Sequence, residues 1–232
     1  MTLQNGVVTG IISSLKRPGR FSIEVDDAEL ATLTMDTIER LGVRIGRQLD
    51  DALIASIVAE AQLLGTFDRA VRMLAARARS ARELQRRLVQ KGEPAEASAA
   101  AIERLIVAGF LNDGCYARQF ARARMTGAGI ARRRLKQELM RKGVDGIVAE
   151  RAIGDMVTDD AVDEDAILER VARKKLRSLS AVDDITKRRR LFGFLARRGY
   201  DVADIQRVTR EILGVSSETA SDDTASRLGL SE

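Results

Sequence analysis

The sequence predicts a mainly α-helical protein. It reads as an elongated tandem array of three three-helix repeats, preceded by a small N-terminal β-ribbon with helices. Three observations predict this. The pattern Leu84-x-x-x-Leu88-x-x-Lys91-Gly92 returns as Leu135-x-x-x-Leu139-x-x-Lys142-Gly143, and again as Leu191-x-x-x-Leu195-x-x-Arg198-Gly199. The starts lie 51 and then 56 residues apart, a tandem repeat and not a lone helix end. Second, the 232 residues are 45% apolar and 31% charged but only 3% aromatic, with two prolines, a composition that favours helix. Third, strand-like runs, such as Phe21, Ile23 and Val25 alternating with Ser22 and Glu24, fall within the first 65 residues, and from Phe67 onward the chain reads as helix.

Each part of the pattern has a physical reason. Leucines four apart share one helix face. The cation suits the negative end of the helix dipole. The glycine adopts the left-handed conformation that stops a helix. We therefore assign Lys91, Lys142 and Arg198 to helix ends and expect the six leucines to be buried.

In residues 1–65, Val7 to Ile12 is strand-like. Phe21, Ile23 and Val25 alternate with Ser22 and Glu24, and Pro18-Gly19 turns between the two runs. Asp26-Asp27 turns into a third strand around Leu30 to Leu33. Asp36 is expected to cap a short helix, with Glu39 at the capping-box position. A further helix starts at Asp50 and runs towards Leu64.

From Phe67 onward the chain reads as helix, with Val71, Leu74 and Ala75 at helical spacing. The first repeat spans 66–110. Ser80-Ala81-Arg82-Glu83 forms a capping box before its motif helix, and a third helix follows Pro94 and ends at Gly109. The second spans 111–158, starting after Asp113, breaking at Gly127 to Gly129 and ending with a helix capped near Asp145. The third spans 159–214, with helices near Asp163, from Asp184 to Arg198, and after Asp201. Units this small bury their apolar faces by stacking on neighbours. Residues 215–232, rich in Ser, Thr and Asp, are expected to be disordered.

Composition excludes several chemistries. There is no histidine, which removes the usual general base and the commonest metal ligand. Ser-His-Asp and Cys-His sites cannot be built, nor a structural zinc site from Cys115 alone. Neither phosphate-binding glycine motif occurs. Gly127-Ala128-Gly129 reads as a loop. We expect no enzyme activity, no metal and no cofactor. No apolar run approaches the roughly 18 residues of a membrane span, and no signal peptide is visible. With one cysteine, a cytoplasmic location and no membrane association are expected.

Net charge is +5. Residues after Gly214 carry Glu218, Asp222, Asp223 and Glu232 against Arg227, or −3, so the preceding 214 residues carry +8. Such a surplus suits polyanions, though a basic surface also serves solubility. The arginines of the middle helices are placed by counting about 100° per residue from the first motif leucine. Arg82, Arg133 and Arg189 then lie at about 160°, Arg86 at about 200°, and Arg141 and Arg197 at about 240°. Each middle helix thus has a basic outward arc, the candidate contact surface, extended by Arg132 and Lys136. Phe110, Phe120 and Phe194 sit among apolar neighbours and are expected in the core. No exposed aromatic platform for stacking bases is evident, and no recognition helix for base edges. The arc suits phosphates or an acidic protein groove, without sequence readout.

Several runs resemble the RecX regulatory family. Arg79-Ser80-Ala81-Arg82-Glu83-Leu84, with Leu88, Lys91 and Gly92, resembles its first repeat. Gly109-Phe110-Leu111-Asn112-Asp113 and Tyr116-Ala117-Arg118-Gln119-Phe120 look like its central signature. Leu135-Lys136-Gln137-Glu138-Leu139, with Lys142-Gly143-Val144, matches its second-repeat motif. The likeness runs from residue 1 to 213 and is strongest from 67 to 157. The third repeat departs from it, with Phe192 and Phe194 where the first repeat has the polar Gln85 and Arg87. The resemblance implies a non-enzymatic modulator of the RecA recombinase that lies in the groove of the RecA filament on single-stranded DNA. It would suppress strand exchange, ATP hydrolysis and the coprotease activity behind the SOS response. A monomer is expected. Two other readings of the residues stay open: a general DNA- or RNA-binding repeat protein without a RecA partner, and a repeat scaffold for acidic proteins.

Overall fold

All six motif leucines are fully buried, at 0% exposure, each contributing about 1.5–3 kcal/mol of apolar burial. The structure is a computed structural model that describes residues 6–15 and 17–214. The expected disordered tail, 215–232, lies outside the described residues. The described chain is mainly helical and carries one small sheet. It divides into two compact units, Met1–Tyr116 and Ala117–Glu232.

In the first unit, β1 (Val8–Ser13), β2 (Phe21–Val25) and β3 (Ala28–Leu33) form an antiparallel sheet in that order. Ile11 pairs with Ile23, and Ile23 with Ala31. The two-residue turn between β2 and β3 holds Asp26 and Asp27 at φ 49° and 64°. Two left-handed residues match the twist of the strands they join, and aspartate tolerates that region better than most. Val8, Ile23, Val25, Ala31 and Leu33 pack with Ile38, Val43, Leu49 and Ile57. The first helix, α1 (Met35–Arg40), is capped by Thr34, whose Oγ1 accepts from the Thr37 amide at 3.3 Å. This corrects the expected Asp36 cap: Thr34 is the last extended residue, so Asp36 falls inside the first turn.

The helix starting at Asp50 does not end near Leu64. It is one 26-residue helix, α2 (Asp51–Ala76), because Gly65 is not followed by any residue that turns the chain. Its first half closes the sheet through Ile57; its second half buries Thr66 and Ala70. Val71 lies on the outside. Ala70 joins Leu84, Leu88, Ile102, Leu105 and Leu111 in a second core built with α3 (Ala81–Gln90) and α4 (Ala95–Val107). Ser80 caps α3 by accepting from the Glu83 amide. Thr66 Oγ1 donates to Glu93 at 2.6 Å, and Arg69 pairs with Glu93 at 2.7 Å, so the segment after α3 is pinned to α2.

The helix α5 (Asp113–Arg122) is followed by a π-helical turn, Ala123–Gly127. The expected break at Gly127 to Gly129 is thus a widened turn, ended by Gly129 at φ 62°. Then come α6 (Arg132–Arg141), α7 (Gly146–Asp159), α8 (Glu164–Arg177), α9 (Asp184–Arg197) and α10 (Val202–Leu213). Asp145, Asp163, Asp183 and Asp201 cap α7 to α10 in turn. Leu168, Val171, Ala172, Leu191, Leu195, Tyr200, Ile205 and Val208 form the last core.

The repeated glycines close their helices in one way. Gly92, Gly143 and Gly199 have φ 89°, 90° and 93°. The amide after each donates back to the second motif leucine: Glu93 to Leu88 at 3.1 Å, Val144 to Leu139 at 3.1 Å, Tyr200 to Leu195 at 3.4 Å. This left-handed closure satisfies carbonyls the helix leaves free. The leucine that buries each helix therefore also anchors its exit.

Candidate functional site

The motif leucines fix which way each middle helix faces, and so which arginines reach solvent. In the first unit Glu83, Leu84 and Leu88 are the buried face of α3, and Arg82 and Arg86 are exposed. In the second unit Leu135 and Leu139 bury α6 and leave Arg132, Arg133 and Arg141 exposed, with Lys136 half-buried. Leu191 and Leu195 bury α9 and leave Arg189 and Arg197 exposed.

Exposure alone does not make these cations equivalent. Arg132 is committed to Glu164, its Nε donating at 2.7 Å. Those hydrogen bonds hold its guanidinium more firmly charged than usual. Lys136 donates to Glu150 at 2.6 Å, and the same contact holds the Glu150 carboxyl below its ordinary range. By contrast, Arg82, Arg86, Arg133, Arg141, Arg189 and Arg197 have no ion-pair partner among the described residues. Six of the eight candidates thus carry free guanidinium groups, able to fork onto phosphate or carboxylate oxygens.

Other arginines are structural. Arg124 grips Glu138 through Nε at 3.1 Å and Nη2 at 3.0 Å, and Arg134 adds a bond at 3.3 Å. This fork ties the π-helical turn after α5 to α6. Arg118 bonds Asp159 at 2.7 Å and Asp160 at 3.2 Å, and these bonds reinforce its charge. For Arg118 and Arg124, sequence spacing could not separate them from free residues, because their partners lie 14 to 42 residues away.

The helix-end cations behave as assigned: Lys91, Lys142 and Arg198 are each the capping residue after the last turn. Two also sit over aromatic rings, Lys142 Nζ 5.4 Å from the centre of Phe120 and the Arg198 guanidinium 4.4 Å from that of Phe194. Phe120 and Phe194 are half-buried under these cations. Phe110 is not in the core: it is 69% exposed. Its amide donates to Leu105 after the left-handed Gly109, which reverses the chain so that Leu111, not Phe110, enters the core.

Outside the middle helices, α8 carries Arg170, Arg173, Lys174 and Arg177 at helical spacing, a signal legible in the sequence. Among the described residues no cluster of three or more metal-ligating side chains occurs, and no helix is long and apolar enough to cross a membrane.

Family models match all three repeats. Residues 67–105 match the model described as RecX, first three-helix domain; residues 112–153 match the second and 163–209 the third. The chain is 42% identical over 128 residues to the Regulatory protein RecX of Amycolatopsis mediterranei (strain U-32), covering 55% of this chain and 71% of that protein. It is 40% identical to the one from Mycobacterium avium (strain 104), covering 56% and 74%. It is 34% identical to the one from Streptomyces coelicolor (strain ATCC BAA-471 / A3(2) / M145), covering 64% and 77%. A crystal structure of regulatory protein RecX superposes with a TM-score of 0.73 at 18% identity, over 88% of this chain and 98% of that one. RecX from Lactobacillus salivarius superposes at 0.56 and 21% identity, over 66% and 98%. At these identities the superpositions speak for the fold alone.

Proposed function

Because the chain belongs to the RecX family of regulatory proteins, we propose that it is a non-enzymatic regulator of the RecA filament on single-stranded DNA. In this reading it lies in the filament groove and lowers strand exchange, ATP hydrolysis and SOS coprotease activity. It does so as a cytoplasmic monomer without a cofactor. The observation that carries the reading is the set of free guanidinium groups on the motif helices: Arg82 and Arg86 in the first unit, and Arg133, Arg141, Arg189 and Arg197 in the second. An arginine without an internal partner keeps its forked donors for phosphate or carboxylate oxygens, and a filament groove offers both. Arg132 and Lys136 contribute by exchanging their carboxylate partners for groups of the filament.

The test measures binding to single-stranded DNA with and without RecA and ATP. Strong preference for the assembled filament supports the reading. Equal affinity for naked DNA makes the chain a general nucleic-acid binder, and binding without any DNA dependence makes it a scaffold for acidic proteins. The combined Arg82→Ala, Arg133→Ala and Arg141→Ala variant should bind the filament more weakly. Its salt slope should flatten by about 2, for three phosphate contacts on single strands. Lys142→Ala, at a helix end, should alter stability more than binding. A triple variant that suppresses RecA as well as the parent does would remove these arginines from the contact.

A further inference from the structure

The last helix of the first repeat presents apolar side chains to solvent where its counterpart in the second repeat presents polar ones. Ile106 and Val107 end α4 and are exposed, Val107 at 85%. Ala108, Gly109 and Phe110 follow and are exposed too, so a run without a polar side chain stands in water. The helices α4 and α7 start at Ala95 and Gly146, 51 residues apart, the same offset as their motif glycines. At that offset Ala99, Ala100, Val107 and Ala108 correspond to Glu150, Arg151, Thr158 and Asp159. All four of the latter are exposed. The fold therefore does not require apolar residues on this face. Exposed apolar patches of this kind mark surfaces that a partner covers.

The same face forms a groove. Leu63 of α2 lines it with Ala100, Glu103, Arg104, Val107 and Ala108. From Ala100 to Val107 the groove follows α4 for about 10 Å. A third helix can lie along two packed helices where small side chains let it approach. Arg104 is committed to Glu60 at 3.3 Å. Glu96 and Glu103, the other charges of α4, have no ion-pair partner among the described residues. The free charge beside the groove is thus negative, opposite in sign to the arginine arcs.

We propose that the groove between α2 and α4 docks an amphipathic helix of a protein partner. An apolar side chain of that helix packs on Leu63, Val107 and Phe110, and a lysine or arginine meets Glu103. A free carboxylate repels phosphates and acidic proteins alike, so neither polyanion suits this face. An exposed aromatic ring beside a groove is instead the kind of anchor that dominates protein interfaces. The partner is the protein component of the filament, so the site rests on the regulatory reading above. It divides the labour of that contact, with the arginine arcs taking anionic groups and the groove taking a basic, apolar helix.

The test uses the full chain, RecA filaments assembled with ATP on single-stranded DNA, and the same strand without RecA. Phe110→Ser should weaken filament binding by at least about 30-fold, as loss of an interface hot spot does. An apolar contact releases no counterions, so the salt slope should match the parent's. Affinity for the naked strand should also stay the same. Val107→Ser, on the same face, should lower filament affinity in the same way. Glu103→Lys should weaken filament binding by about 10-fold or more through repulsion of the partner's cation. Its affinity for the naked strand should hold or rise, because the added charge favours DNA. All three positions are exposed, and parent-like thermal melting shows each variant folded. Filament binding that stays unchanged in Phe110→Ser, or rises in Glu103→Lys, overturns the docking site. So does a Phe110→Ser loss shared by the naked strand, since the ring would then stack on bases. A parent that binds the naked strand as well as the filament removes the regulatory reading and this site with it. A parent that prefers the filament beside unaltered variants removes the site alone.

Discussion

Gly199 and Gly92 occupy the same position of the same repeated motif, yet alanine should cost very different amounts at the two. Both have strongly left-handed backbones, φ 93° and 89°, where a Cβ costs about 1–2 kcal/mol. At Gly92 nothing lies within 4 Å of an added Cβ, so Gly92→Ala should cost that much and little more. At Gly199 the added Cβ would meet the Arg134 backbone nitrogen at 2.9 Å, its Cα at 3.3 Å and its Cβ at 2.5 Å. The Ala131 amide also donates to the Arg198 carbonyl at 3.0 Å, which locks the start of α6 against the end of α9. The obstacle is backbone within a hydrogen-bonded joint, so a rotamer change cannot relieve it. Overpacking of this kind adds about 1–3 kcal/mol. Gly199→Ala should therefore destabilise by about 2–5 kcal/mol. Urea denaturation followed by far-ultraviolet circular dichroism measures both variants against the parent. Equal losses for the two would refute the close approach of the second and third repeats at this glycine.

Leu139→Ala, at a fully buried motif position, should cost about 2–5 kcal/mol; a loss below 1 kcal/mol by the same measurement would deny it a packed core. Ala161 closes α7 with φ 47°, the turn that glycine makes after α3, α6 and α9, so Ala161→Gly should stabilise by about 0.5–1 kcal/mol, and an unshifted urea midpoint would contradict that strain. Burial pushes the Tyr200 hydroxyl up to about 12 from 10. Because the folded value is the higher, the stability this group contributes is complete below about pH 10 and is lost as pH rises towards 12. Tyr200→Phe should be less sensitive than the parent across that window in urea titrations, and identical alkaline losses would sink the assignment.

The sequence by itself determined the helices, their caps and the repeat, because these are local. A leucine pair, an aspartate cap and a terminal glycine act within a few residues of one another, so Asp145 and Asp201 cap the helices where their spacing put them. It also determined that Arg82, Arg133 and Arg189 turn from the core, since helix geometry follows from counting. Local rules failed where two neighbouring residues compete for one role. Thr34 caps α1 in place of Asp36 because the extended backbone ends there, and Leu111 enters the core in place of Phe110 because Gly109 reverses the chain. Only the tertiary structure decided which basic side chains remain free. Arg132 and Arg133 are adjacent and alike in sequence, but only Arg132 finds a carboxylate, Glu164, 32 residues away. The same holds for the motif glycines: their conformation was legible at all three positions, whereas the backbone pressed against Gly199 belongs to residues 65 positions earlier. Pairing and close packing depend on which distant segments the fold brings together, and a single helix does not encode that.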